Sequence, residues 1–184
     1  MKPPIELKTP LMDETCTALQ AGDRVLLTGY IYTARDAAHR RMCDALDQGL
    51  PLPFPLAGQI IFYAGPSPAK PGAVIGSIGP TTSGRMDVYT PRLLAEGLKG
   101  MIGKGGRSAE VREAICRHNG VYFGAVGGIA ALLSRCILDV EWVAYQNLGP
   151  EGIMRLKVLN LPLVVINDSH GGDLYEDAVK NYQK

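Results

Sequence analysis

Hydrophobic and polar positions alternate in two rhythms along this chain. Runs of apolar, β-branched or aromatic residues bounded by glycine or proline occupy 24–32, 59–63, 73–77, 99–102, 121–126, 140–144, 154–158 and 163–166. Each predicts a β-strand. Between several of them the period lengthens. Val111, Ala114, Ile115 and His118 recur at i, i+3, i+4 and i+7, one face of a helix over 108–118. Asp13 suits the N-cap of a helix ending before Gly22, and a second helix begins after Asp36. Thr90-Pro91 reads as an N-cap followed by proline at the first helical position, opening a short helix to about Leu98. Further helices are expected over 129–137 and 173–182. The strand–helix–strand–helix–strand order in the middle implies right-handed crossovers and a parallel sheet segment. The flanking hairpin-like strands add a further β layer. The expected fold is therefore α/β, one domain over 1–184 with a partly parallel sheet and more than one sheet. No GxGxxG runs from a strand into a helix, so no Rossmann unit is implied.

Composition narrows the function classes. At 184 residues and 46% hydrophobic the chain buries a real core and is too apolar for disorder. Nineteen Lys and Arg against eighteen Asp and Glu leave a net charge of +1, which argues against a generic nucleic-acid binder or a polybasic membrane-surface protein. Trp142 and the tyrosines form no stacking ladder of the RNA-binding kind. The N-terminal MKPPIELKTPL lacks the apolar stretch and cleavage site of a secretory signal. The most apolar segment, 121–133, is broken at Ser134 and Arg135, short of the ~20 residues of a membrane span. A soluble, cytoplasmic protein is expected. Cys16, Cys43, Cys116 and Cys136 form no CxxC pair, so the expectation is free thiols, with no metal site made by this chain alone. A cysteine facing a metal centre on another chain is the open alternative.

Glycine is abundant, 22 of 184 residues, above the ~7% of average proteins. Part of that excess lies in three basic loops. They are Thr28-Gly-Tyr-Ile-Tyr-Thr-Ala-Arg-Asp-Ala-Ala-His39, Ile78-Gly-Pro-Thr-Thr-Ser-Gly-Arg-Met-Asp87 and Met101-Ile-Gly-Lys-Gly-Gly-Arg-Ser108. Each follows a predicted strand, where α/β proteins place their sites, and glycine lets backbone approach a ligand. Side by side they would offer Arg35, Arg85, Lys104 and Arg107 with the hydroxyls of Thr81, Thr82 and Ser83, a set suited to a small polyanion. The set contains no resting general base, because a threonine hydroxyl takes a proton only when a neighbour lowers its pKa. His170, between a strand end and Gly171-Gly172, has no recognisable partner.

Taken together, Thr33-Ala-Arg-Asp-Ala-Ala-His39, Gly79-Pro-Thr-Thr-Ser-Gly-Arg-Met-Asp87 and Gly103-Lys-Gly-Gly-Arg-Ser108 resemble, in order, the β-subunit or C-terminal domain of class I fumarate hydratases. The L-tartrate dehydratase β-subunit belongs to the same family. The likeness runs from about Gly22 to His170, and residues 79–87 are its most specific part. The resemblance implies a swivelling β/β/α domain and reversible, iron–sulfur-dependent hydration of fumarate to (S)-malate. It implies a [4Fe–4S] cluster carried by an α-subunit, with this chain as one half of a hetero-oligomer. The cluster would act as a Lewis acid on the substrate. Residue by residue, it implies that Arg35 binds a substrate carboxylate and that Thr81 is the base at the substrate carbon. Arg85 and Lys104 become further carboxylate clamps that stabilise the dianionic intermediate. The lysine loop reads Gly-Lys-Gly-Gly-Arg where many relatives have Lys-Gly-Asn. Three readings follow: a fumarate hydratase β-subunit, an L-tartrate dehydratase β-subunit, or a non-catalytic dicarboxylate-binding or assembly domain.

Overall fold

A computed structural model describes residues 3–69, 71–125 and 130–182. The strands are β1 (Ile5–Lys8), β2 (Arg24–Thr33), β3 (Ile60–Phe62), β4 (Gly100–Gly103), β5 (Val121–Gly124), β6 (Ile137–Ala144) and β7 (Ile153–Asn167). The helices are α1 (Asp13–Ala18), α2 (Asp36–Asp47), α3 (Thr90–Ala95), α4 (Ala109–Arg117), α5 (Ala130–Leu133) and α6 (Leu174–Tyr182).

All seven strands join one sheet. Its middle, β2-β3-β4-β5, is parallel, as the alternation of strands and helices predicted. Long β7 runs antiparallel to β5 through Val164–Asn167 and antiparallel to β2 from Met154 to Val164. These pairings close β2, β3, β4, β5 and β7 into a ring, with β1 beside β2 and β6 beside β7. The further β layer expected from the sequence is thus the same sheet doubled back. A second sheet does not occur among the described residues. A bulge between Leu27 and Gly29 lets β2 pass from β1 to β3. Gly29, at φ +130°, is required there, because a Cβ would lie 2.2 Å from Thr9 Oγ1.

The ring separates two apolar cores. Leu27, Ile31, Phe62, Ile102, Phe123, Leu156 and Val165 pack together, while Ile61, Tyr63, Met101, Tyr122 and Ile166 pack with residues of α2, α3 and α4. This is the period-2 alternation of strands buried on both faces. In α4 the buried residues are Val111, Ala114 and Ile115, the predicted stripe, and the hydroxyl of Ser108 caps the helix at Val111 N. The prolines of residues 50–56 serve an ordered loop, with Phe54 stacked on Tyr32 at 3.8 Å between ring centroids.

Several local expectations are corrected. Residues 73–77 form no strand: Gly76 approaches the carbonyls of Ser67 and Pro68 too closely for a Cβ, and the segment folds back as a loop. Segments 154–158 and 163–166 are one strand, continuous through Asn160 at φ +50° and Pro162. The short strand β1 carried too little apolar sequence to be read. Met12, not Asp13, holds the N-cap of α1, and Tyr89, not Thr90, holds that of α3. Of 129–137, residue 129 lies outside the described residues, α5 and a 3-10 turn (Ser134–Cys136) follow, and Ile137 already belongs to β6. Val126 of the predicted strand 121–126 is also outside them. All four cysteines are free thiols; Cys16 is buried and the others half-buried. No helix among the described residues is long and apolar enough to cross a membrane.

Candidate active site

Parallel strands leave their carboxyl ends on one side of the sheet, and loops gather there. Beyond β2 the chain continues through Ala34, whose N–H donates to Phe62 O, and reaches Arg35 at the N-cap of α2. Beyond β3, Tyr63 N donates to Ile102 O, and beyond β5, Ala125 N donates to Gly103 O. The second basic loop was expected to follow its own strand over 73–77. Instead it is laid across the ends of β3 and β4. Thr81 N and Thr81 Oγ1 both donate to Tyr63 O, at 2.7 and 2.9 Å. Thr82 pairs with Lys104 in a parallel bridge, Ser83 N donates to Lys104 O at 2.9 Å, and Lys104 N donates to Thr81 O at 3.3 Å. Gly103 makes this possible, since a Cβ there would stand 1.9 Å from Ser83 Oγ.

Arg35, Thr81, Arg85 and Lys104 are thereby brought to one end of the molecule. The first and second loops meet directly: Arg85 grips Asp36 through Nε and Nη2, both contacts at 2.8 Å. Arg35 meets Glu151 at 3.3 Å through Nη2, and its buried Nε has no partner among the described residues. Glu151 also accepts a hydrogen bond from Ala37 N, so it closes the first turn of α2 while it orients Arg35. Lys104 is exposed, and its ammonium has no partner among the described residues. Asp36 and Glu151 were missed as components of the site. The Arg35-Asp36 adjacency was a local signal for the first; for Glu151, 116 residues downstream of Arg35, there was none.

Arg107 is corrected. Its side chain is fully buried and cannot meet a ligand. Nε donates to Asp87 at 2.7 Å and Nη2 to Thr90 Oγ1 at 2.8 Å, with the guanidinium against the rings of Tyr63 and Tyr122. Ser83 is also buried and bonds Tyr122 OH at 2.9 Å, so it too belongs to the frame. His39 lies beneath Arg35, fully buried, with Nδ1 against Arg35 O at 2.9 Å and its ring edge toward Tyr63. Burial pushes its pKa down to about 4, so the imidazole is neutral at pH 7. His170 sits at the opposite end, beyond the carboxyl terminus of antiparallel β7, with Nε2 2.7 Å from Thr17 O.

Three cations and one hydroxyl are thus held by neighbouring loops at the carboxyl ends of the parallel strands. Residues 2–178 match the family described as fumarase C-terminus. The chain belongs to the fumarase C-terminus family. Among its relatives, the anaerobic class I fumarate hydratase of Escherichia coli is 37% identical over 179 residues, covering 95% of this chain and 33% of its own length. Fumarate hydratase 2 of Leishmania major is 36% identical over 179 residues, covering 95% of this chain and 32% of its own. A putative L(+)-tartrate dehydratase subunit beta of Methanocaldococcus jannaschii is 42% identical over 173 residues, covering 90% and 89%. The chain thus spans about one third of the fumarate hydratases it matches and most of the tartrate dehydratase subunit.

The family implies an iron–sulfur cluster, and the residues of this fumarase C-terminus domain do not fit its ligation. Cys16, Cys43 and Cys116 lie on α1, α2 and α4, Cys136 lies in the turn before β6, and none is in the basic loops. Among the described residues no three His, Cys, Asp or Glu side chains gather into a metal site. What the loops offer instead is three cations, of which Arg35 and Arg85 are already paired with Glu151 and Asp36.

Proposed function

We propose that this chain is the β-type part of a class I fumarate hydratase. It acts with an α part that carries the [4Fe–4S] cluster, in reversible hydration of fumarate to (S)-malate. The observation that carries this reading is the convergence of Arg35, Thr81, Arg85 and Lys104 at the carboxyl ends of the parallel strands, within a chain matched to the fumarase C-terminus family almost throughout.

In this reading Arg35 takes one substrate carboxylate, with Glu151 fixing the direction of its fork. Arg85, aimed by Asp36, and Lys104 take the other. Adding or removing water across a C=C between two carboxylates builds charge on one of them as an aci-carboxylate. Cations fixed beforehand stabilise that charge more than the ground state, typically by several kcal/mol. The hydroxyl hydrogen of Thr81 is committed to Tyr63 O, so the oxygen turns its lone pairs outward. In the hydration direction the Thr81 hydroxyl would give its proton to the substrate carbon and be left as an alkoxide, whose negative charge Arg85 or Lys104 would stabilise. In the reverse direction that alkoxide takes the carbon-bound proton and returns to the neutral hydroxyl.

One observation favours L-tartrate as a second reading: the putative tartrate dehydratase subunit is matched over 89% of its own length. A non-catalytic dicarboxylate-binding or assembly domain is the third reading. Anaerobic co-expression with the cysteine-bearing α part, followed by assay of both substrates, separates the three. The expected result is fumarate hydration exceeding L-tartrate dehydration. The reverse ranking establishes the second reading. Conversion of neither, with an intact cluster, leaves only the third.

A further inference from the structure

We propose that the largely buried Asp87–Arg107 pair is a positioning device that locks residues 79–87 and the lysine loop into one unit, fixing Lys104 against Thr81 and Arg85. The catalytic part of this inference rests on the function proposed above; the mechanical part stands without it.

Asp87 ends the second basic loop, and Arg107-Ser108 ends the third. One carboxylate oxygen accepts from Arg107 Nε at 2.7 Å and the other from Ser108 N at 2.7 Å. Both oxygens of one acid in the second loop are thus spent on the third. The rest of the guanidinium is held by Thr90 Oγ1 at 2.8 Å and lies against Tyr63 and Tyr122, 5.3 and 4.9 Å from their ring centroids. Tyr122 adds a second tie, with its hydroxyl 2.9 Å from Ser83 Oγ in the second loop and donating to Gly105 O in the third at 2.9 Å. Lys104 lies between these ties. Its ammonium has no partner among the described residues, and its backbone bonds to Thr81 and Ser83 fix where the side chain starts. An exposed lysine on a glycine-flanked loop would otherwise lose much of its aim. Burying an ion pair is weak evidence for stability but an effective way to impose one geometry.

The test uses Asp87→Asn and Asp87→Glu in the full chain, alone and joined to the α part. Asn offers one acceptor where two donors converge; Glu keeps the charge but moves it by one methylene. In the full chain, hydrogen exchange at the Ser83 and Lys104 amides should quicken at least about tenfold, with β2 and β7 protection unchanged. In the joined enzyme kcat should fall about 10–100-fold, with KM changing by less than kcat, since a misplacement of about 1 Å costs on that order. If Asp87→Asn fails to fold, Asp87→Glu decides, with a smaller effect in the same direction. Wild-type exchange at Ser83 and Lys104 would overturn the proposal. So would a uniform loss of protection accompanied by wild-type kcat per folded molecule, the mark of a merely structural pair. Absence of hydratase activity in the wild-type complex would remove the functional reading, and the exchange experiment would still decide the coupling.

Discussion

The two ends of the strand ring use charge in opposite ways. At the amino end of the parallel strands the charged groups Lys99 and Asp168 are held by their own chain, although two buried neutral oxygens, Asn167 Oδ1 and Ser169 Oγ, have no partner among the described residues. Lys99 pairs with Asp13 at 2.7 Å, and Asp168 accepts from the amides of Ala21, His170 and Gly172. His170 meets a backbone carbonyl. At the carboxyl end Lys104 has no partner among the described residues, Arg35 keeps a buried Nε unpaired, and Arg85 remains half exposed beyond its grip on Asp36. Similar residue types are present at both ends. In the proposed reading, what distinguishes the carboxyl end is unfilled hydrogen-bonding capacity on cations, held by a rigid frame.

The largest break of this comparison is Arg85→Ala or Thr81→Ala in the two-part enzyme. Each should cut kcat/KM by about 10²–10³ or more while the variant unfolds at the wild-type urea concentration. Turnover within threefold of wild type would remove the assigned role. Lower in magnitude is a pH effect from His39. Its pKa falls from 6.5 to about 4 on folding, so the unfolded chain binds the extra proton first. Stability contributed by the neutral imidazole is full above pH 6.5 and is lost as pH falls toward 4, by about 3 kcal/mol in all. Urea unfolding between pH 7 and 4 should show this slope, and His39→Leu should abolish it. A slope unchanged in the variant would assign it elsewhere. The smallest effect is expected at the other end: Lys99→Met should cost about 1 kcal/mol or less in urea unfolding, given its exposed partner, and leave turnover unchanged. A loss of turnover there would erase the contrast between the ends.

Much of this division was legible in the sequence, for physical reasons that differ by residue. Arg35, Thr81, Arg85 and Lys104 stand in short basic motifs, a local signal, and Gly103 and Gly79 in two of them do mark close approach. The α4 stripe was legible because one helix face carries its own period. Arg107 was misread because Gly105-Gly106-Arg107 looks like an exposed basic turn. Its burial depends on Asp87, Tyr63 and Tyr122, brought together only by the sheet. Closure of the ring was illegible for the same reason: it rests on β7 pairing with both β2 and β5, and the Asn160-Leu161-Pro162 stretch reads as a break. Glu151 is joined to Arg35 only in space.

The most direct measurement of the central claim is a nitrogen-15 NMR titration of the full chain with fumarate, following amide and arginine Nε resonances. Shifts confined to Arg35, Thr81, Arg85, Lys104 and their loop neighbours, with Lys99 and His170 silent, are the predicted result. Shifts centred on Lys99 and His170, or none at saturating dicarboxylate, would contradict a carboxylate site at the carboxyl end of the strands.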